Sequence, residues 1–372
     1  MLDRKAYVAD LQDQQVVESI FLVSSTSLRE TRNGDPYLCV TLQDRTGSIE
    51  ARAWDDAAAL AARFDAEDFV AIRGRVSMYR EVLQLTLTDI QRIDEADLNL
   101  RDFLPHSRWS TESLLETMVQ LVEEEIESDE VRRFLQALLA DTDFQGAYQR
   151  APAAKQNHHA YLGGLLEHSL SMARLALSMG RHYRAYYPGL VNVDLVVAGC
   201  IIHDMGKVEE LSAGRTFDYT TEGKLLGHIA MGVARVDAVA RDLSPPLPDE
   251  LLLQLKHLIL SHHGKQEYGS PVVPQTPEAL LLHHLDMVDS RMNMCWNAAQ
   301  PLVGDEDARP GWTDYDRVLR SAFFLGTPAT APEPVDTSAP GLATGDGTPD
   351  DGGDGEAAEP ALNNPNLSLF GD

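Results

Sequence analysis

The stretch CIIHDMGKVEEL, residues 200–211, sets an imidazole beside a carboxylate in a run otherwise apolar enough for a buried helix. Neither His203 nor Asp204 tolerates burial unless it is paired or bound to a metal. One reading makes His203 a satisfied core histidine and Asp204 a turn or capping residue. Working outward favours the other. His168 lies in GLLEHSL, His228 in LLGHIAMG, His262 and His263 in ILSHHGKQEYGSP, and Asp286 in LLHHLDMVDSRM, each inside or at the end of an apolar helical segment. A buried imidazole needs a partner, and several of them with carboxylates suit metal ions held by nitrogen and oxygen.

From about Ser110 to Leu325 the apolar spacing is helical, and DLVVAGCIIHDMGKVEEL and KLLGHIAMGVARVDAVARD each read as one helix. Upstream, residues 15–93 read as five strands broken at Asn33-Gly34-Asp35-Pro36 and Thr46-Gly47, with the last two joined near Tyr79-Arg80. DDAAALAARFDAED supplies a short helix between the third and fourth strands. Five strands so interrupted fit a small closed barrel of the OB type, which binds single strands. The expected fold is therefore α+β and multidomain: a five-stranded barrel over 1–100, an all-α domain over 101–326, and an acidic, disordered tail over 327–372.

The chain has 372 residues, 44% of them hydrophobic, and a net charge of −27. Nine acids and no Lys or Arg fall after Leu325, yet the remainder is acidic too. Such a field repels nucleic acid at long range, so any contact with it has to rest on a local basic strip, stacking or metal ions. Cys39, Cys200 and Cys295 show no metal spacing and read as buried residues in a reducing compartment. No run is long enough to span a bilayer and MLDRKAYVADLQD lacks a signal-peptide core. A cytoplasmic protein without membrane contact is expected.

An ordered His, His-Asp and Asp on successive helices resembles the HD-domain metal-dependent phosphohydrolases. The resemblance implies His168, His203, Asp204 and Asp286 as ligands of one divalent ion, with His228, His262 and His263 at positions that support a second. It tilts the metal to Mn²⁺, with Fe²⁺, Co²⁺ and Zn²⁺ also suited to mixed His and carboxylate ligation. Asp289, one turn beyond Asp286, competes for the last ligand place. HHAYLGGLLEHSL, HDMGKVEEL, EGKLLGHIAMG and SHHGKQEYGSPVVPQTPEALLLHHLDMVDS look like the YhaM family, bacterial 3′→5′ exoribonucleases with an OB-fold before an HD domain. LQDRTGSIEARAW, residues 42–54, is similar to OB-folds of the anticodon-binding and replication-protein type.

These resemblances imply a 3′→5′ exonuclease acting on single-stranded RNA, with DNA as an additional substrate. Asp204 and Lys207 are the expected catalytic residues, Lys207 as a phosphate contact or leaving-group stabiliser. His158 and Tyr268 beside the site are candidate strand contacts. In the barrel Arg52, Arg75, Tyr79 and Arg80 are candidates for phosphate tracking and stacking, with Phe21, Tyr37 and Trp54 as further aromatics. Asn366-Leu-Ser-Leu-Phe370 resembles the bacterial sliding-clamp-binding peptide Gln-Leu-Ser/Asp-Leu-Phe. Leu367, Leu369 and Phe370 match it, which makes the clamp a candidate partner beside a homo-oligomeric assembly. Two rivals remain: a phosphohydrolase of nucleotides or cyclic dinucleotides, and an inactive single-strand-binding adaptor tethered to the clamp.

Overall fold

The computed structural model describes residues 5–326 other than 32, 81, 95–97, 213, 216 and 301–310, so the clamp-like peptide lies outside the described residues. Strands β1 (Val16–Glu30), β2 (Pro36–Asp44), β3 (Gly47–Ala53), β4 (Phe69–Tyr79) and β5 (Val82–Arg92) close into a barrel in the order β1-β2-β3-β5-β4. The β3–β5 pairing is parallel and the others are antiparallel. Alternation places Leu38, Val40 and Leu42 of β2 and Ile49, Ala51 and Ala53 of β3 in the barrel core. β1 serves two partners, β4 over Val16–Leu22 and β2 over Leu22–Glu30, and a register shift between Val23 and Ser25 bends it. The short helix α1 (Ala57–Ala61) falls between β3 and β4 as expected. Phe21 corrects one expectation: it is fully buried in the barrel core and is no stacking surface.

A second core ties the barrel to the segment that leads into the helices. Leu22 and Phe69 of the barrel pack with Phe103 and Leu104, and Leu162 rests against them. The Phe69 and Phe103 rings meet edge to face at 4.8 Å.

The helices are α2 (Thr111–Glu125), α3 (Asp129–Ala140), α4 (Thr142–Tyr148), α5 (Gly164–Tyr186), α6 (Val193–Ile202), α7 (Lys207–Glu210), α8 (Thr221–Asp242), α9 (Asp249–Ser261) and α10 (Pro277–Ala299). Side chains of Ser110, Ser128, Asp141, Asn192, Thr220 and Thr276 accept backbone N–H groups at the starts of α2, α3, α4, α6, α8 and α10. Helix α6 is buried along its whole length and packs against α3, α5, α9 and α10. A helix apolar all round belongs at the centre of its domain.

Three features depart from the sequence reading. The run through His203 is not one helix: α6 ends at Ile202, residues 203–206 turn, and α7 starts at Lys207. Gly206 lies against α8 so closely that a Cβ there would sit 2.1 Å from the His228 carbonyl oxygen. Helix α8 is broken at Gly227, whose φ of 75° is open to glycine but strained for other residues. The C-terminal part is not wholly helical, since β6 (Gly311–Trp312) pairs with β7 (Phe324–Gly326). Among the described residues no helix is long and apolar enough to cross a membrane.

Candidate metal centre

The breaks around α7 and within α8 place the histidines. His203 closes α6, its N–H bonded to the Gly199 carbonyl at 2.8 Å, and Asp204 follows in the turn. His168 comes from the second turn of α5, His228 from the residue after the Gly227 break, His262 from the C-terminal end of α9 with His263 next to it, and Asp286 and Asp289 from α10. Ring centroids run His168 to His203 at 5.3 Å, His203 to His262 at 5.1 Å, His262 to His263 at 4.2 Å and His263 to His228 at 5.3 Å.

Asp204 lies among them. Its Oδ2 is 3.2 Å from His203 Nε2, and its Oδ1 is 3.4 Å from His228 Nε2 and 3.5 Å from His262 Nε2. Asp286 Oδ1 is 3.4 Å from His168 Nε2. Four rings are oriented by acceptors on the opposite nitrogen. Nδ1 of His168 faces Asp289 Oδ2 at 2.8 Å and that of His203 the Cys200 carbonyl at 3.0 Å. Nδ1 of His228 faces Glu210 Oε1 at 3.0 Å, and that of His262 the Ile259 carbonyl at 2.7 Å. An acceptor at Nδ1 holds the ring proton there and leaves Nε2 as a lone pair. All four Nε2 atoms, with Asp204 Oδ1 and His263 Nδ1, are buried and lack a hydrogen-bond partner. Orphaned polar atoms are costly, and six converging from five elements fit a divalent ion as their missing partner. Among the described residues, ligand-like atoms gather in the groups His168, His203, Asp204 and His228, His262, His263, and a third group joins His159, His168 and Asp289.

The electrostatics follow the same layout. Burial opposes ionisation of Asp204, but the Lys207 ammonium outweighs it and holds the carboxyl well below its usual range. Burial likewise opposes the charge on His168, yet Asp286 and Asp289 raise it to about 10, so an ion held at Nε2 would displace a proton from this ring. Burial lowers His158 and His263, each to about 4. Lys207 is not the solvated lysine its position allows: Nζ donates to Asp204 Oδ2 and to the Ala153 carbonyl, both at 2.6 Å.

The structure separates Asp286 from Asp289. Asp286 faces the ring nitrogen that has no other partner, whereas Asp289 accepts from Nδ1 of His168 and from the Ser171 hydroxyl. Glu210 escaped the sequence reading. It accepts both the backbone N–H and Nδ1–H of His228, and a Glu in a helix of four residues carries no periodic signal. Replacing Asp289 with Asn removes the charge behind His168 while keeping its size. Metal affinity is expected to fall about 10- to 100-fold, read by titration of the metal-depleted protein, and unchanged affinity would show that His168 needs no anionic support.

The other candidates are spread out. The His158 ring is 5.5 Å from that of His168, at the edge of the cluster. Tyr268 is exposed after α9, with Lys265 Nζ 5.7 Å from its ring, and its neighbour Gly269 approaches His263. On the barrel, Arg52 and Arg75 flank Thr86 in one row across β3, β5 and β4. Arg75 is exposed, but Arg52 Nε donates to Glu50 at 2.7 Å, so its charge is compensated. Tyr79 and Arg80 form the β4–β5 turn, the guanidinium 5.3 Å from the ring centroid. Tyr37 and Trp54 stack at 4.8 Å next to Arg52. In OB-folds the β2–β3 face and the β1–β2 and β4–β5 loops bind oligonucleotides.

A family model described as an OB-fold nucleic acid binding domain matches residues 22–93, and one described as the HD domain matches residues 165–291. A third, described as a putative helicase, matches residues 107–186. The chain is 35% identical over 290 residues to the 3′-5′ exoribonuclease YhaM of Oceanobacillus iheyensis, covering 78% of this chain and 88% of that protein. It is 37% identical over 279 residues to the protein of the same name from Bacillus subtilis, covering 75% of this chain and 86% of that one.

Proposed function

The chain belongs to the YhaM family of 3′-5′ exoribonucleases, and from that membership we propose how its residues divide the work. The activity is metal-dependent 3′→5′ hydrolysis of RNA by the helical domain, with single-stranded nucleic acid bound by the barrel. The boundary between the two is set near residue 100.

His168, His203, Asp204 and Asp286 hold one divalent ion. His228, His262 and His263 would hold a second, and Asp204 stands between the two groups, its two oxygens facing different histidines. The single observation that supports this best is the convergence of orphaned, tautomer-fixed Nε2 atoms on Asp204. When bound, such ions lower the pKa of water, polarise the phosphoryl group and offset its charge. Asp289 and Glu210 hold His168 and His228 in place. Lys207, fixed against Asp204, supplies a cation to the phosphate or to the leaving oxygen. His158 and Tyr268 contact the strand beside the centre, and Arg52, Arg75, Tyr79 and Arg80 hold it on the barrel. The proposed ion is Mn²⁺; Fe²⁺, Co²⁺ and Zn²⁺ suit the same donors.

A 5′-labelled single-stranded RNA and the matching DNA test the reading. With Mn²⁺ the RNA shortens from its 3′ end to a ladder, and chelator stops it; an intact RNA in every metal would overturn the assignment. The relative DNA rate reports whether DNA is also a substrate. Leu367, Leu369 and Phe370 are proposed to bind the sliding clamp, and a chain lacking residues 366–370 then shows no clamp binding by surface plasmon resonance. Equal binding with and without them would remove that partner. A homo-oligomer, read by sedimentation equilibrium, would place several barrels around one strand; a monomeric mass would end that part of the reading.

A further inference from the structure

A cleft of about 480 Å³ opens beside the metal centre. One wall is Lys207, His228 and His263, and the other includes Lys155, Asn157 and Tyr219. Its volume lies in the range of roughly 300–1,000 Å³ common for small-ligand sites.

The second wall is tied to the first at the backbone. Lys207 Nζ, bound to Asp204, also holds the Ala153 carbonyl at 2.6 Å, which fixes the start of the segment that carries Lys155 and Asn157. Tyr219 pairs with Leu211 in an antiparallel bridge, and Thr220 N–H donates to the carbonyl of Glu210 at 2.9 Å, so its backbone is set by the same short stretch that orients His228. Lys155 Nζ joins the two pieces, 2.8 Å from Asp218 Oδ1 and 6.0 Å from the Tyr219 ring centroid. Tyr219 nonetheless remains 43% exposed. A large aromatic side chain is thus held at the mouth of a nucleotide-sized cleft by backbone bonds while much of it stays open to solvent.

We propose that this cleft holds the 3′-terminal nucleotide of the strand, with Tyr219 stacking on the terminal base. The inference rests on the exoribonuclease reading and gives that site its substrate contact. Stacking suits the task because every base has a π-face, so the grip is tolerant of sequence. It also suits a chain of net charge −27, in which attraction to phosphate is local. Lys155, paired with Asp218, holds this wall in place beside the ring.

The test is a cycle between the ring and the base. Single-turnover release of the last nucleotide is measured for the wild-type, Tyr219→Ala and Tyr219→Phe proteins. The substrates are one RNA with an ordinary 3′-terminal base and the same RNA ending in an abasic residue. Tyr219→Ala is expected to slow the ordinary RNA about 5- to 150-fold, Tyr219→Phe to restore it, and the abasic RNA to be cleaved equally by all three proteins. Equal slowing of both RNAs by Tyr219→Ala would make the ring a structural support and overturn the proposal, as would no slowing of either. A wild-type protein that releases nothing from ordinary RNA would instead strike the exoribonuclease reading itself.

Discussion

Changing Asp204 to Ala lowers metal-dependent RNA hydrolysis by at least about a thousandfold and empties the centre of metal. One carboxylate faces three histidines: Oδ2 lies against His203, and Oδ1 against His228 and His262. On the proposed assignment its removal takes a ligand from both ions at once. It also leaves the Lys207 ammonium, now 2.6 Å from Asp204 Oδ2, without its counter-charge and in a position to repel a cation. Asp204→Asn keeps the shape and loses the charge, and is expected to behave like the Ala variant. Elemental analysis of the purified proteins reads occupancy, RNA hydrolysis reads function, and circular dichroism confirms folding. A folded Asp204→Asn protein within tenfold of wild-type activity would remove Asp204 from the proposed ligand set.

Gly206→Ala is the second large effect, and it acts through packing. An added Cβ would meet the His228 carbonyl oxygen at 2.1 Å and the Gly232 nitrogen at 2.8 Å, both backbone atoms. A flexible side chain could swing aside, whereas two backbone segments have to separate. The expected cost is about 3 kcal/mol or more, a fall in Tm of about 10 °C for a domain of this size. Because the forced separation lies between Asp204 and His228, metal affinity drops with stability. Calorimetry with and without added metal separates the two effects. A wild-type Tm would show that α7 and α8 have slack to give.

The sequence made the chemistry legible more readily than its geometry. Alternation in PYLCVTLQD and GSIEARAW and the glycine breaks between strands located the barrel. The histidines stood out because apolar helices give them no partner. What stayed hidden were interactions made across elements. The chain turns at 203–206 because Gly206 packs against the backbone of α8, and nothing local in IIHDMGK announces that neighbour. Gly227 reads as an ordinary helix glycine until its φ is known. Asp286 and Asp289 share a helix face, and only the position of His168 between them separates one from the other. Phe21 was grouped with the other aromatics as a stacking candidate, yet it alternates onto the same inward face of β1 as Val17 and Val23, where the barrel core covers it.

The acceptors behind the four imidazoles have a further consequence. Protein carbonyls and carboxylates park each ring proton on Nδ1 as part of the folded architecture. Small zinc domains assemble around their ion and unravel without it; here the coordination cage is built by the core. Metal removal is therefore expected to stop hydrolysis while leaving the circular dichroism spectrum unchanged, and added metal to restore activity without refolding. On the proposed assignment, throughput would follow the supply of the divalent ion while the amount of folded protein stays the same.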